Sequence, residues 1–223
     1  MNQNTDIDEV LLKSDLFGHV VSVTRGDKTS IRRDIRTAPF WTRGIARWLM
    51  RREARVLNAV AGIDGLPELL HSDRDTLERS FLDGQPMQVA RPADAVDYFR
   101  DARRLLRRLH RAGVVHNDLA KEPNILVTPE GRAAFIDFQL ATHFAKRSGL
   151  FRLLAREDIR HLLKHKRYYC ADALTEREKA ILKRPSLPSR IYMRTVKPVY
   201  LFVTRRVLGW SDREGAGDRG AVR

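Results

Sequence analysis

The 223-residue chain has a single cysteine, Cys170. That excludes an internal disulfide framework and a cysteine-based zinc site. No stretch reaches the ~18 uninterrupted apolar residues of a membrane-spanning helix. The opening segment, MNQNTDIDEV, is polar and acidic and lacks the apolar core of a secretory signal. Internal repeats and long low-complexity runs are missing as well. Acid is in short supply: 28 Asp and Glu stand against 42 Lys and Arg, a formal net charge of +14. What remains is the expectation of a cytoplasmic, globular chain forming one domain or one two-lobed domain.

The positive excess is uneven. Residues 1–23 carry a net −3, residues 24–60 a net +7, residues 61–140 a net −2 and residues 141–223 a net +12. A basic face of this kind attracts nucleic acid, anionic lipid or a phosphorylated substrate. It is equally the solvated surface of an arginine-rich protein, since Lys supplies only 9 of the 42 cations.

Residues 16–23 (LFGHVVSV) predict a strand, Arg25-Gly26-Asp27 a turn, and residues 28–35 its hairpin partner. From Trp41 to Val60, apolar residues at 41, 45, 48, 49, 56, 57 and 60 recur at helical spacing, and Gly62, Gly65 and Pro67 stop the helix. Short strands are expected at Glu68–His71 and Thr76–Phe81, followed by a linker, Asp83-Gly84-Gln85-Pro86. Asp94 to Ala112 predicts a helix, ended by Gly113. Two short strands (ILV and AAFIDF) then flank a turn, and helices are expected over 150–164, 175–183 and 190–208. The implied organisation is a small strand-rich lobe over 1–83 and a mostly helical lobe over 84–189. A basic amphipathic helix over 190–210 and a disordered tail over 211–223 follow.

Residues 116–124 read His-Asn-Asp-Leu-Ala-Lys-Glu-Pro-Asn between the apolar runs VV and ILV, and Ile136-Asp137-Phe138 follows. Two carboxylates and an amide beside short strands are the hard oxygen donors that Mg²⁺ shares with phosphate. A further carboxylate can accept the proton of an attacking hydroxyl. Each residue alone is explained as a turn, cap or bracing residue. The ordered set is far less easily explained that way.

With these motifs the sequence resembles the protein-kinase-like phosphotransferases, through the H-x-D … N … D-F pattern. The segment RLLRRLHRAGVVHNDLAKEPNILV…GRAAFIDFQLA is similar to their catalytic-loop region, and LERSFLDGQPM to their hinge. The short chain looks most like the small RIO-type and bacterial lipopolysaccharide (Kdo/heptose) kinases. The resemblance implies an α+β, two-lobed kinase-like fold with a β-rich N-lobe holding one helix. It implies ATP and Mg²⁺ as cofactors, with Asp118 orienting and deprotonating the acceptor hydroxyl. Asn124 and Asp137 would hold the metal, and Glu53 would pair with a cation on the third strand. Lys121 would reach the γ-phosphate or stand as a solvated loop lysine. Gly18 is what is left of a glycine-rich phosphate loop.

The sequence also departs from that pattern. Asp118 and Asn124 are six apart, whereas the kinase pattern has five. No strand-three lysine stands in TSIRRD, where the position falls on Arg32 or, one register later, on Arg33. Gln139 follows Asp-Phe in place of Gly, and Asn117 stands where regulated kinases carry Arg. No Ala-Pro-Glu segment follows Asp137. A serine/threonine-kinase-like enzyme is expected, with a lipopolysaccharide sugar kinase as the alternative and a nucleotide-binding pseudokinase behind it. The acceptor is a hydroxyl on protein or saccharide. Residues 190–210 suit either packing on the helical lobe or a peripheral contact with an anionic inner-membrane surface. A nucleic-acid-binding module rests on charge alone.

Overall fold

The computed structural model describes residues 7–183. The expected helix over 190–210 and the tail over 211–223 lie outside them, as does the end of the 84–189 segment. Strands β1 (Ile7–Asp15), β2 (Gly18–Arg25) and β3 (Lys28–Asp34) run antiparallel, followed by helix α1 (Arg43–Ala59). Strands β4 (Leu69–Ser72) and β5 (Thr76–Ser80) complete a five-stranded sheet in the order β1-β2-β3-β5-β4. The first strand has no counterpart in the sequence reading. Its side chains are almost all exposed, so no apolar alternation marks it. Its backbone pairing with β2 is what holds it.

A crossover leads through β6 (Gln85–Pro86) and the one-turn helix α2 (Met87–Ala90) into α3 (Ala95–Arg111). Asp94 caps α3 by accepting from the Asp97 N–H. Then come β7 (Val114–Val115), β8 (Ile125–Val127), β9 (Ala133–Phe135), β10 (Thr142–His143) and α4 (Gly149–Tyr169). Gln85–Pro86 pairs with β8, and β8 with β9, in a second small sheet. The helix expected over 150–164 is longer, running five residues further, to Tyr169. Residues from Leu174 form a separate unit. Its described part is α5 (Glu176–Lys183), opened by a reciprocal capping box between Thr175 and Glu178.

One apolar core runs through the first unit. Met50, Leu57 and Leu77 from the sheet side join Tyr98, Leu106 and Leu109 of α3, with Phe135 and Phe138 from the strand-and-loop region. The Tyr98 hydroxyl donates to the Leu126 carbonyl at 2.9 Å, and the Phe135 N–H to Gly65 at 2.9 Å. The loop after α1 is therefore tied to β9. The helix face toward this core matches the expected one in its second half, where Val56, Leu57 and Val60 are buried, and differs in its first half. There Ala46, Met50 and Ala54 are buried, while Trp41, Ile45 and Trp48 are exposed. Among the described residues, no helix is long and apolar enough to cross a membrane.

Candidate active site

β7 ends at Val115, and the chain then enters the loop carrying His116, Asn117 and Asp118. The loop is anchored from α4. The carboxylate of Asp158, fully buried, accepts from the backbone N–H of His116 at 2.8 Å and of Asn117 at 2.9 Å. His110 of α3 adds a contact to the same carboxylate at 3.1 Å. These bonds hold the backbone while Asn117 adopts a left-handed conformation (φ +65°). No sequence motif marks Asp158. It acts across about forty residues of chain, and only the folded contact reveals it.

His116 braces rather than reacts. Its Nε2 lies 3.0 Å from the Ile136 carbonyl, so Nε2 carries the proton and donates. Complete burial pushes its pKa below 6.5 and keeps the ring neutral. His165 of α4 does the same for the next stretch, its Nε2 donating to the Leu119 carbonyl at 2.9 Å. The Tyr169 hydroxyl reaches Glu122 at 3.1 Å.

The additional residue between Asp118 and Asn124 is taken up by two tight turns. Lys121 N–H donates to the Asp118 carbonyl at 3.4 Å, and Asn124 N–H to the Lys121 carbonyl at 3.2 Å. A 3₁₀ turn over Glu122–Asn124, with Pro123 inside it, finishes the loop. The Asn124 amide thereby returns to Asp118, donating to its carbonyl and to Oδ2, both at 3.0 Å. The Lys121 ammonium sits 3.0 Å from the same Oδ2. Backbone pairing puts Asp137 beside this group, because Ile136 N–H donates to the Asn124 carbonyl at 3.0 Å. Asp137 is itself left-handed (φ +64°).

The donor set fits Mg²⁺. With its amide nitrogen spent on Asp118, Asn124 has its amide oxygen for a cation, and Asp137 adds a carboxylate. Among the described residues, no three His, Cys, Asp or Glu side chains are placed to hold a metal ion by themselves. A cation held here would therefore fill its remaining positions with nucleotide phosphate oxygens and water.

The cations of the sheet are arranged differently from the expectation. Arg32 does not meet Glu53. Its guanidinium pairs with Glu9 of β1 at 2.6 Å. The register explains this. Arg32 lies opposite Glu78, whereas Arg33 lies opposite Leu77 and Ile31 opposite Arg79. Successive side chains alternate between faces, so Ile31, Arg33, Leu77 and Arg79 share the face that packs on α1, and Arg32 is on the other. Glu53, only 2% exposed, finds Arg79 of β5 at 3.6 Å. Glu53 Oε2 and Arg79 Nη1 both remain without a hydrogen-bond partner. No carboxylate pairs with Arg33 among the described residues.

Gly18 is likewise explained by the sheet. It opens β2 at φ +109°, and a Cβ there would overlap the Asp34 carbonyl oxygen of β3. In the β1–β2 turn beside it, the Asp15 carboxylate accepts from the Phe17 N–H at 2.8 Å. That amide is therefore engaged within the turn rather than free for phosphate.

α1 is also fastened to the segment after Asp137. Arg52 donates to the carbonyls of Ala141 (2.6 Å) and Leu140 (2.7 Å) and to the Thr142 hydroxyl. Asn117 donates to Leu140 and Thr142 as well. The helix, the catalytic loop and the segment after Asp137 thus converge on one short stretch.

A five-stranded sheet with one helix, a crossover, and a helical lobe bearing this loop make up the two-lobed fold of the protein-kinase-like phosphotransferases. Within that class the RIO domain model matches residues 4–183, and the chain belongs to the RIO family of atypical, kinase-like, ATP-binding phosphotransferases. No curated protein matches the chain.

Proposed function

We propose that the protein is a minimal serine/threonine-kinase-like enzyme that passes the γ-phosphoryl group of ATP to a hydroxyl with Mg²⁺ as cofactor. The reading rests on one observation above the others. Asp118, Asn124 and Lys121 meet within 3.0 Å in a loop whose backbone is fixed by buried Asp158. Phosphoryl transfer asks a protein mainly for position and charge neutralisation, and this loop supplies both. Asp118 orients the acceptor hydroxyl and takes its proton. Asn124 and Asp137 would hold the cation, which would supply positive charge against the phosphates. Lys121 offsets the negative charge of Asp118.

In this reading two arginines share the work that one strand-three lysine does in most kinases. Arg79 holds Glu53, and so α1, against the sheet. Arg33, on the same face and without an acid partner, meets the phosphates in place of Arg32. Gly18 has a role in the sheet and none at the nucleotide.

A saccharide hydroxyl is the second reading. It is favoured by the short connection from Phe138 to α4 at Gly149, which leaves little surface for an extended peptide. Incubating the enzyme and γ-labelled ATP with a cell lysate, then sorting label between protein and lipopolysaccharide, separates the two. Label on protein Ser or Thr supports the first reading and label on core sugar the second. Absence of transfer to either, with nucleotide still bound, contradicts both in favour of a binding scaffold.

A further inference from the structure

A groove of about 290 Å³ runs between the C-terminal half of α3 and the first turns of α4. Arg107, His110 and Arg111 line it from α3, Arg147 from the loop before α4, and Arg152 and Arg156 from α4. Residues 107 and 111, and 152 and 156, are four apart, so each pair projects from one helix face. Five guanidinium groups thus border one depression, and among the described residues it has no acidic lining.

None of the five finds a carboxylate partner among the described residues; their recorded bonds run only to backbone. Arg147 donates to the Arg111 carbonyl at 3.1 Å, and Arg152 to the Arg147 carbonyl at 3.4 Å. What sets the five apart is that they border one groove; several arginines of the sheet and its surroundings are paired instead. Arg25, Arg32, Arg36, Arg47 and Arg79 each meet an Asp or Glu. Five like charges around one groove repel each other in the free protein, and a bound anion relieves that repulsion. The amino end of α4, which favours negative charge, adds to the same field. Guanidinium forks suit the oxygens of phosphate, which they bind in pairs.

We infer that this groove binds a ligand bearing several closely spaced phosphate groups, at a site separate from the catalytic loop. The ligand chemistry is a cluster of phosphate monoesters or anhydrides, carried either on a free small molecule or on a lipid headgroup. The groove is shallow and its walls are helical side chains, which suits a branched or compact anion better than a stacked base. Its floor lies close to the catalytic loop, because His110 shares the Asp158 carboxylate that holds His116 and Asn117.

The test uses the full chain with ATP and Mg²⁺ at saturation, so that the phosphate groups of the nucleotide site are already supplied. Tripolyphosphate is titrated calorimetrically into the wild type, into Arg111→Ala/Arg152→Ala, and into Arg51→Ala/Arg55→Ala, which removes the same charge from exposed positions on α1. The expected result is affinity at least tenfold weaker in the groove variant and unchanged in the α1 variant. A second readout guards against misfolding. At low ionic strength the groove variant without ligand should melt at or above the wild-type temperature, since repulsion has been removed, and tripolyphosphate should no longer raise it. Vesicles containing phosphatidic acid, compared with phosphatidylcholine alone, identify a lipid source if they bind the wild type but not the groove variant. Equal tripolyphosphate affinity in all three proteins, or no binding to the wild type, would overturn the inference. Groove-dependent binding of a 20-nucleotide single strand without any of tripolyphosphate would overturn it too. Because the readout is binding and not transfer, failure here leaves the phosphotransferase reading standing.

Discussion

At the residue scale, Asp158 ties the catalytic loop and α3 to one carboxylate. Its carboxylate satisfies two buried backbone donors of the catalytic loop and the His110 ring. Each donor left unpaired costs about 1–3 kcal/mol. Asp158→Ala should therefore lower unfolding stability by about 2–5 kcal/mol in urea titrations, and a loss under 1 kcal/mol would mean water replaces the carboxylate. Arg79→Met should similarly strand the Glu53 carboxylate in the core, whereas Arg79→Met/Glu53→Met should regain much of that loss. The non-additivity of such a cycle reads the pair directly. At this scale the sequence was only partly legible. Asp118, Asn124 and Asp137 fall within one stretch of about twenty residues, where spacing carries information. Asp158 and Arg79 act through contacts made by folding, and nothing around them in the chain distinguishes them from other surface-type residues. Arg32 and Arg33 differ by one place. Only the pairing register of β3 with β5 says which of them faces the helix.

Helix α1 shows how an element can be found from the sequence while part of its face is misread. Val56, Leu57 and Val60 are buried as expected, but in the first half two stripes compete: Trp41, Ile45 and Trp48 on one, and Ala46, Met50 and Ala54 on the other. Periodicity alone cannot rank them. The second is buried because its small alanines admit close approach to the sheet and to the 3₁₀ turn at Phe138–Leu140, while Trp48 instead lies under the Arg52 guanidinium at 5.4 Å. Leu57→Ala should then cost about 2–5 kcal/mol, and Trp48→Ala about 1 kcal/mol or less, measured by the same denaturant titration. Equal costs would mean the first stripe is covered in solution. Arg52 makes a different kind of link, from α1 to Leu140, Ala141 and Thr142. Arg52→Ala should reduce kcat more than it raises KM for ATP, because it frees the segment next to Asp137 without removing a phosphate contact. An unchanged kcat would remove α1 from the assembly of the site. The β1 strand was invisible for the opposite reason, since a strand exposed on both faces has no pattern to read.

For the whole molecule, the two-lobed arrangement was legible because the catalytic motifs and the hinge punctuate the chain, and the charge was not. The +14 excess is neither a uniform coat nor a simple sign of nucleic acid. Much of the sheet's share is consumed in ion pairs, while the α3–α4 groove keeps its share unneutralised. Acid sensitivity is a further whole-molecule property. His116 and His165 are buried and His161 is partly so, and burial holds each below its ordinary 6.5. As pH falls past 6.5, the unfolded chain takes up protons that the folded protein refuses. Stability is thus retained above about pH 6.5 and lost as pH drops toward the folded values, by up to about 1.4 kcal/mol per pH unit for each ring. Urea midpoints between pH 7.5 and 5 should decline accordingly, and a flat profile would show that the rings are hydrated.

The central claim is that Asp118 serves the transfer step rather than nucleotide binding. Single-turnover phosphoryl transfer by Asp118→Asn, set beside its ATP affinity by fluorescent-nucleotide titration, tests this most directly. The account predicts a rate lowered by about 10²–10⁴-fold with ATP affinity within a few-fold of wild type. Transfer at the wild-type rate by Asp118→Asn would contradict it.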